Sequence, residues 1–389
     1  MGMNRRRAGA AALISAAVAL VAAATLTQGQ TVPAVRPFAP TSPWNTPVPP
    51  GATYSTPGTD SNGNGAVDVL EAVYQPMPGL PFVWPPFGGI NYEREGVPVV
   101  RTDSAAPVRV LRWDCQVPGR SVGPQSISLR FNLPPTYPNG GSYGPEPTFG
   151  SGPDSSIVII DQTTNTAHEF IGLDPNPRPD GSYAHVGYGQ SPACLQGGHS
   201  TYSSIGQGWG YKSTSADPLA DFNGNVREGI RAAGTGLLGG LITGSDVAAA
   251  LAGNPDTPQH AFAVCLHGAT QLRDGFVAPA VSQDGFGYSG GYGGSIRVGS
   301  RLAIPPGTPR PATVDTPVGR MLWSVMQRYG GFVVDNCGSK PTFGLYAENN
   351  TNSFNFDADL SAYRSGSDLL DIIPALRVAS FPTGPTPST

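Results

Sequence analysis

Short stretches rich in β-branched and aromatic residues, each ended by a turn, recur along most of this chain. They include Val99–Arg101, Val108–Trp113, 126–132, 156–160, 166–171, 259–266, 331–335 and 342–347. This spacing favours short strands, and 52 glycines and 41 prolines in 389 residues supply the turns between them. No blade-sized internal repeat is evident, which argues against a β-propeller. We therefore predict a mainly β fold, a β-sandwich or jelly roll with a few short helical insertions.

Three segments carry helix signals instead. They are residues 226–233, 246–251 and 317–329. The second is alanine-rich, and Ser245 is its predicted N-cap. The third has the clearest signals, because Thr316 offers an N-cap, Pro317 suits the first helical position and Gly330 ends the helix.

The N-terminus has the parts of a secretory signal. Arg5, Arg6 and Arg7 precede an uncharged, mostly apolar run at residues 8–26, and polar residues follow. This order predicts a signal peptide over residues 1–30 and a secreted, extracellular protein. A membrane anchor is the alternative, since the run approaches the length of a spanning helix. The dominance of alanine in the run favours the signal peptide.

Beyond the signal, the chain divides by composition. Residues 31–66 are rich in Pro, Gly, Ser and Thr and are predicted to run extended over the surface, with Trp44 pinning them to the body. Residues 67–380 are the predicted β-rich, catalytic domain. Residues 381–389 are predicted to be a disordered tail.

Charge and cysteine usage limit the possible partners and the compartment. The formal net charge is -4 and the chain after the signal has no basic run, which argues against nucleic acid and anionic lipid as partners. Four cysteines occur outside any C-x-x-C pair: Cys115, Cys194, Cys265 and Cys337. An even number in an exported protein predicts two disulfides, with three possible pairings.

One segment fulfils the calcium-loop pattern D-x-[DN]-x-[DN]-G-x5-E. Its predicted side-chain ligands are Asp60, Asn62, Asn64, Asp68 and Glu71. Residues 48–59 before it cannot form the entering helix of a full helix-loop-helix site. The alternative is a polar Asn-Gly turn before a short helix. A bound Ca²⁺ would stiffen the loop rather than perform chemistry, and no organic cofactor is expected.

Four stretches of the sequence carry a resemblance to a known group. They are SPWNTP at 42–47, GTGLLGGLI at 234–242, QHAFA at 259–263 and YGGFVVDN at 329–336. Together they resemble a group of secreted β-rich proteins that is common in actinobacteria and also found in fungi. The resemblance spans nearly the whole chain after the signal and implies a β-rich extracellular domain, loosely similar to polysaccharide-acting jelly-roll enzymes. Members of the group tend to have Asp before the histidine of the central strand, whereas this chain has Gln259 there.

Two predicted strand-turn-strand units each carry two acids. Asp161 and Glu169 belong to the first pair, and Asp335 and Glu348 to the second. A glycosidase needs one protonated and one ionised carboxyl group across a cleft. Glu169 and Asp335 have apolar neighbours that could raise a pKa, so they are the preferred catalytic pair. The alternative for each acid is a structural role, such as capping a hairpin turn at Asp161.

Histidines offer a second chemistry. A lyase acting on a uronic acid polymer needs a base and an acid, often His and Tyr, and a group that neutralises the substrate carboxylate. Tyr183 and His185 share a strand face, and His260 and Arg297 could complete such a site. The more frequent role of a lone strand histidine is a hydrogen bond in the core or at its rim.

Aromatic residues in glycine-rich loops suit stacking against sugar rings. The predicted substrate-binding residues of this kind are Trp209, Tyr211, Tyr288 and Tyr292. Our first hypothesis is an extracellular, monomeric glycoside hydrolase that cleaves a polysaccharide with Glu169 and Asp335, supported by Asp161 and His260. The alternatives are a polysaccharide lyase that uses His185 or His260, and a non-catalytic carbohydrate-binding or cell-envelope protein.

Overall fold

A mixed sheet of seven strands lies at the centre of the fold. In the computed structural model its order is β1 (Thr53–Ser55), β15 (Arg377–Ser380), β12 (Arg301–Ala303), β13 (Gly331–Asn336), β9 (Phe262–Leu266), β14 (Phe343–Tyr346) and β2 (Gly88–Asn91). The pairs β13–β9 and β14–β2 are parallel, and the other neighbours are antiparallel. Parallel neighbours require a crossover connection, and between β9 and β13 the chain passes through two strands of another sheet, then β12, then the helix Pro317–Arg328.

The structure describes only part of the chain. The described residues are 38, 42–56, 58, 88–91, 97–113, 125–132, 157–163, 166–170, 182–184, 231–266, 272–280, 283, 294–336, 343–348 and 365–380. All of them belong to one unit, residues 36–389. The predicted signal peptide and the predicted C-terminal tail lie outside the described residues.

Smaller sheets complete the described β-structure. One contains β3 (Val99–Arg101), β6 (Ile157–Asp161) and β7 (Thr166–Phe170), and another contains β5 (Gln125–Arg130), β4 (Val108–Trp113) and β8 (Ser182–Ala184). A third pairs β10 (Leu272–Phe276) with β11 (Ile296–Val298). The prediction of a mainly β fold is confirmed.

Helices in the described residues are short. They are α1 (Gly244–Leu251), α2 (Pro317–Arg328) and α3 (Ser365–Ile372), with 3-10 turns at Pro43–Asn45 and Ile373–Ala375. Helix α2 begins at the predicted proline, and its N-cap Thr316 accepts a hydrogen bond from the Gly319 amide. None of these helices combines the length and the apolar character that a membrane span requires.

Two details of the helix predictions are wrong. Helix α1 is capped by Thr243 rather than Ser245, because the Thr243 hydroxyl and the Asp246 carboxylate form a reciprocal capping box. Residues 231–233 form a turn rather than the end of the helix predicted at 226–233. The start of that predicted helix lies outside the described residues.

The core forms where α2 covers the sheet. The fully buried residues of α2 recur at helical spacing: Val318, Met321, Leu322, Val325 and Met326. Every residue of β9 is also fully buried, as expected for a central strand covered on both faces. The edges of this core carry the polar residues described next.

Candidate functional site

The segment from Arg231 to Asp246, here called the 231–246 segment, connects three strands of the central sheet. The Ala233 amide donates to the Val334 carbonyl of β13 at 2.9 Å, and the Gly240 carbonyl accepts from the Ala263 amide of β9 at 2.8 Å. Further along, the Ile242 amide donates to the Tyr346 carbonyl of β14 at 2.9 Å. These bonds hold the segment against the sheet and thereby fix the polar groups that it carries.

Asp246 and His260 form a buried pair at the start of α1. The Nε2 atom of His260 lies 3.2 Å from the Oδ2 atom of Asp246. The same oxygen accepts a hydrogen bond from the Thr243 amide at 2.8 Å, and in return the Thr243 hydroxyl accepts from the Asp246 amide at 3.2 Å. The capping box therefore fixes the carboxylate that His260 contacts.

The second ring nitrogen of His260 also faces an oxygen. Its Nδ1 atom lies 3.0 Å from the Ala261 carbonyl oxygen, and the edge of the ring meets Phe262 with the centroids 5.5 Å apart. A carbonyl and a carboxylate are both acceptors, so only a ring protonated on both nitrogens can donate to both oxygens. Both ring nitrogens of His260 lie within hydrogen-bond distance of an oxygen.

Glu348 brings a second carboxyl group to this site. Its Oε2 atom accepts a hydrogen bond from the Gly244 amide at 3.2 Å. Burial raises the pKa of Glu348, and the nearby Asp246 charge raises it further, while the Gly244 amide and the Arg101 charge lower it. Consecutive amides, those of Thr243 and Gly244, thus donate to two different carboxyl groups. We call Asp246, His260 and Glu348 the acid–histidine cluster.

Glu169 lies beneath the 231–246 segment, with 1% of its surface exposed. Its Oε1 atom accepts from the Leu238 amide at 3.1 Å, and its Oε2 atom is buried without a hydrogen-bond partner among the described residues. Burial raises the pKa of Glu169 to about 7, although the Leu237 and Leu238 amides and the Arg231 charge lower it. A pKa of about 7 suits a general acid, and the 231–246 segment covers this carboxyl group.

Arg231 contacts the turn that covers Glu169. Its guanidinium donates to the Leu237 carbonyl at 3.0 Å and lies 3.9 Å from the centroid of the Tyr346 ring. Both contacts hold the turn at residues 231–238 closed over Glu169. In this position Glu169 contacts the turn through the Leu238 amide.

The other predicted acids lie at the ends of strands. Asp335 is partly exposed in β13, and the Asn336 amide donates to it at 2.9 Å. Asp161 ends β6 and accepts from the Thr163 amide at 2.9 Å, which is the turn-capping role weighed from the sequence. Glu169 lies in β7 and Asp335 in β13, which belong to different sheets.

Several predicted site residues have no described side-chain geometry. Tyr183 lies in β8, whose side chains are not described, and Arg297 lies partly buried in β11. The predicted calcium ligands lie outside the described residues. So do five predicted catalytic or substrate-binding residues: His185, Trp209, Tyr211, Tyr288 and Tyr292. In the described part of the chain, no group of three or more His, Cys, Asp or Glu residues is arranged to hold a metal ion.

Asp246 was missed as a site residue, although its signal was present. Thr243 and Asp246 have capping-box spacing, which identifies a helix start but not the histidine that will contact it. The sequence offered Gln259 next to His260, and Gln259 is exposed. The carboxylate that pairs with His260 comes instead from α1.

Comparison with known proteins gave no match among family models, curated proteins or solved structures. Function is therefore inferred from the residues of this chain.

Proposed function

We propose that the protein is an extracellular glycoside hydrolase that cleaves a polysaccharide at the acid–histidine cluster. Glu348 is the acid, Asp246 is the second carboxyl group of the pair, and His260 holds Asp246 in place. The observation that supports this assignment is the binding of the two carboxyl groups by consecutive amides beside a histidine. This arrangement holds two acids close together in different environments, which is the requirement of glycoside hydrolysis.

Burial raises the pKa of Glu348, which suits the role of the acid in the proposed reaction. A protonated Glu348 donates its proton to the glycosidic oxygen as the bond to the anomeric carbon breaks. The Asp246 carboxylate stabilises the positive charge that develops on the sugar, by attack on carbon or by activating a water molecule. The net reaction adds one water molecule across the bond and returns both groups to their starting states.

Secretion, two disulfides, a calcium-stiffened loop and a monomeric state belong to this proposal, as does the arrangement of the sheets as a sandwich or jelly roll. Each is expected from the sequence features given above. Cys265 is fully buried in β9, and its three possible partners lie outside the described residues, so the pairing stays a prediction. The aromatic residues in the glycine-rich loops are the proposed sugar-binding surface.

A panel of polysaccharides incubated with the purified protein tests the proposal. We expect new reducing ends without absorbance at roughly 235 nm, the region of the unsaturated uronate that elimination produces. The Glu348→Gln and Asp246→Asn variants should each lose about 10²-fold or more in kcat, because each lacks a group required for proton transfer or charge stabilisation.

The sequence-preferred pair supplies the matched comparison. Glu169→Gln and Asp335→Asn should keep most of the activity if the acid–histidine cluster is the catalytic site. Loss of activity in those two variants, with Glu348→Gln unaffected, would return the assignment to Glu169 and Asp335.

A polysaccharide lyase is the second candidate, because the His260–Asp246 contact is the kind of pair that orients a catalytic histidine. Growth of absorbance at roughly 235 nm on a uronate polymer, abolished by His260→Ala, would favour it over hydrolysis. Binding to a polymer without any product would favour the non-catalytic alternative.

A further inference from the structure

Residues 42–48, here called the N-terminal strap, are fastened to the body near the acid–histidine cluster. The strap closes on itself through hydrogen bonds from the Asn45 amide and the Thr46 hydroxyl to the Ser42 carbonyl, at 2.9 and 2.8 Å. Its far end is held by the Val48 amide, which donates to the Arg328 carbonyl at 2.8 Å. Arg301 also donates to the Thr46 carbonyl. The strap is therefore a rigid part of the fold.

The Trp44 side chain fills a slot that two glycines leave open. A Cβ atom on Gly239 would come within 2.7 Å of the indole, and one on Gly240 within 2.5 Å. The indole also meets Phe332 edge-on, with the ring centroids 5.3 Å apart, and only 1% of Trp44 is exposed. The ring thus presses on the 231–246 segment three residues before Thr243, the cap that binds Asp246.

The backbone of Trp44 contacts the other half of the pair. Its carbonyl oxygen accepts a hydrogen bond from the Ala261 amide at 2.7 Å. Ala261 directly follows His260, and its carbonyl oxygen is the one that faces the His260 Nδ1 atom. Trp44 therefore contacts the chain immediately after the histidine with its backbone and the chain just before the Asp246 cap with its ring.

We propose that Trp44 is a positioning residue that sets the geometry of the His260–Asp246 pair. It acts through the two chain segments that it joins and does not touch substrate. The catalytic consequence of this role depends on the proposed function, whereas the positioning of His260 does not.

The test compares Trp44→Phe and Trp44→Ala with Leu376→Ala. Leu376 is fully buried next to β15, three strands away from β9. Its truncation should therefore destabilise the protein without disturbing the His260–Asp246 contact directly. The readout is the set of ¹⁵N and ¹H resonances of the His260 ring, identified by their loss in His260→Ala. We expect the His260 resonances of Leu376→Ala to match those of the wild type at pH 6.

In the Trp44 variants the His260 resonances should shift or broaden, more in Trp44→Ala than in Trp44→Phe. On a cleaved polysaccharide, kcat should fall by about 10²-fold in Trp44→Ala with little change in KM, since a small misplacement of catalytic groups has that effect. If Trp44→Ala does not fold, the His260 resonances of Trp44→Phe, which keeps an aromatic ring in the slot, test the proposal. Wild-type His260 resonances in a folded Trp44 variant would overturn the proposal.

The two proposals fail separately. Full activity in Glu348→Gln would refute the proposed hydrolase site and leave the ring resonances as a test of Trp44. Unchanged resonances in Trp44→Phe, together with loss of activity in Glu348→Gln, would refute the positioning role and leave the hydrolase site in place.

Discussion

At the scale of single residues, three carboxyl groups have a pKa above its ordinary value. Glu169, Glu348 and Asp368 each have a pKa raised mainly by burial, and each also contacts a donor that lowers it. A buried carboxyl group favours its neutral form because the low-dielectric interior solvates charge poorly. These groups therefore couple the stability of the protein to pH.

Glu169 gives the sharpest prediction of that coupling. Its folded-state pKa of about 7 lies above the ordinary value of 4.5, so the folded state keeps a proton that the unfolded chain releases between those values. Below about pH 4.5 the carboxyl group is protonated in both the folded and the unfolded state, so it causes no pH dependence there. As the pH rises towards 7, the free energy of unfolding falls by roughly 3 kcal/mol in all. Glu169→Gln should remove this loss, which urea unfolding at pH 4.5 and pH 8 would measure.

Glu169→Gln keeps an acceptor for the Leu238 amide, so its stability at low pH should stay near that of the wild type. The other two buried acids still titrate in the variant and leave a residual slope in the same direction. An equal pH dependence in variant and wild type would show that Glu169 does not carry the coupling.

At the scale of elements, the capping residues of α1 have two structural roles. They begin the helix and they orient the carboxylate that contacts His260. A helix start is fixed by local hydrogen bonds, whereas a catalytic pair needs a partner from another part of the chain. The Thr243 side chain therefore influences both stability and the proposed site.

Thr243→Ala should reduce the free energy of unfolding by about 1 kcal/mol, the usual effect of losing an N-cap side chain. Ser245→Ala is the matched control, because Ser245 is the cap that the sequence suggested and lies only two residues away. Its hydroxyl lies 2.8 Å from that of Thr243, so a smaller loss is expected. Denaturant unfolding of both variants would decide, and an equal or larger loss in Ser245→Ala would contradict the assignment of the cap.

What the sequence predicts well is what adjacent residues determine. Helix α2 follows from Thr316 and Pro317, and the strands follow from short β-rich runs, because both depend on local preferences. The acid–histidine cluster depends on β9, α1 and the end of β14 meeting in space. No spacing within one segment encodes that meeting, so Glu348 appeared from the sequence only as the acid after a strand.

At the scale of the whole molecule, the N-terminal strap and β1 belong to the domain. Trp44 is buried in the core, and β1 pairs with β15 in the central sheet. The composition of residues 31–66 predicted a segment on the surface, because proline and glycine indicate irregular backbone. Composition does not indicate how deeply a single tryptophan is buried.

Truncation tests this integration. A chain that starts at residue 36 should unfold at the temperature of one that starts at residue 31, since residues 36–389 form one compact unit. A chain that starts at residue 57 lacks Trp44 and β1, and should lose more than about 3 kcal/mol of stability, the lower range for truncating a buried tryptophan. Thermal unfolding followed by circular dichroism would measure both. Equal stability of the chains that start at 36 and 57 would show that the strap is dispensable.

The pairing of β1 with β15 has a consequence for how the chain acquires its structure. Thr53 and Ser380 are hydrogen-bonded although 327 positions separate them. Joining points so far apart costs about 5 kcal/mol of chain entropy, which only a nearly complete fold can offset. Strand β1 must therefore stay unpaired until β15 is in place. The central sheet is consequently completed late in folding, when β15 joins it.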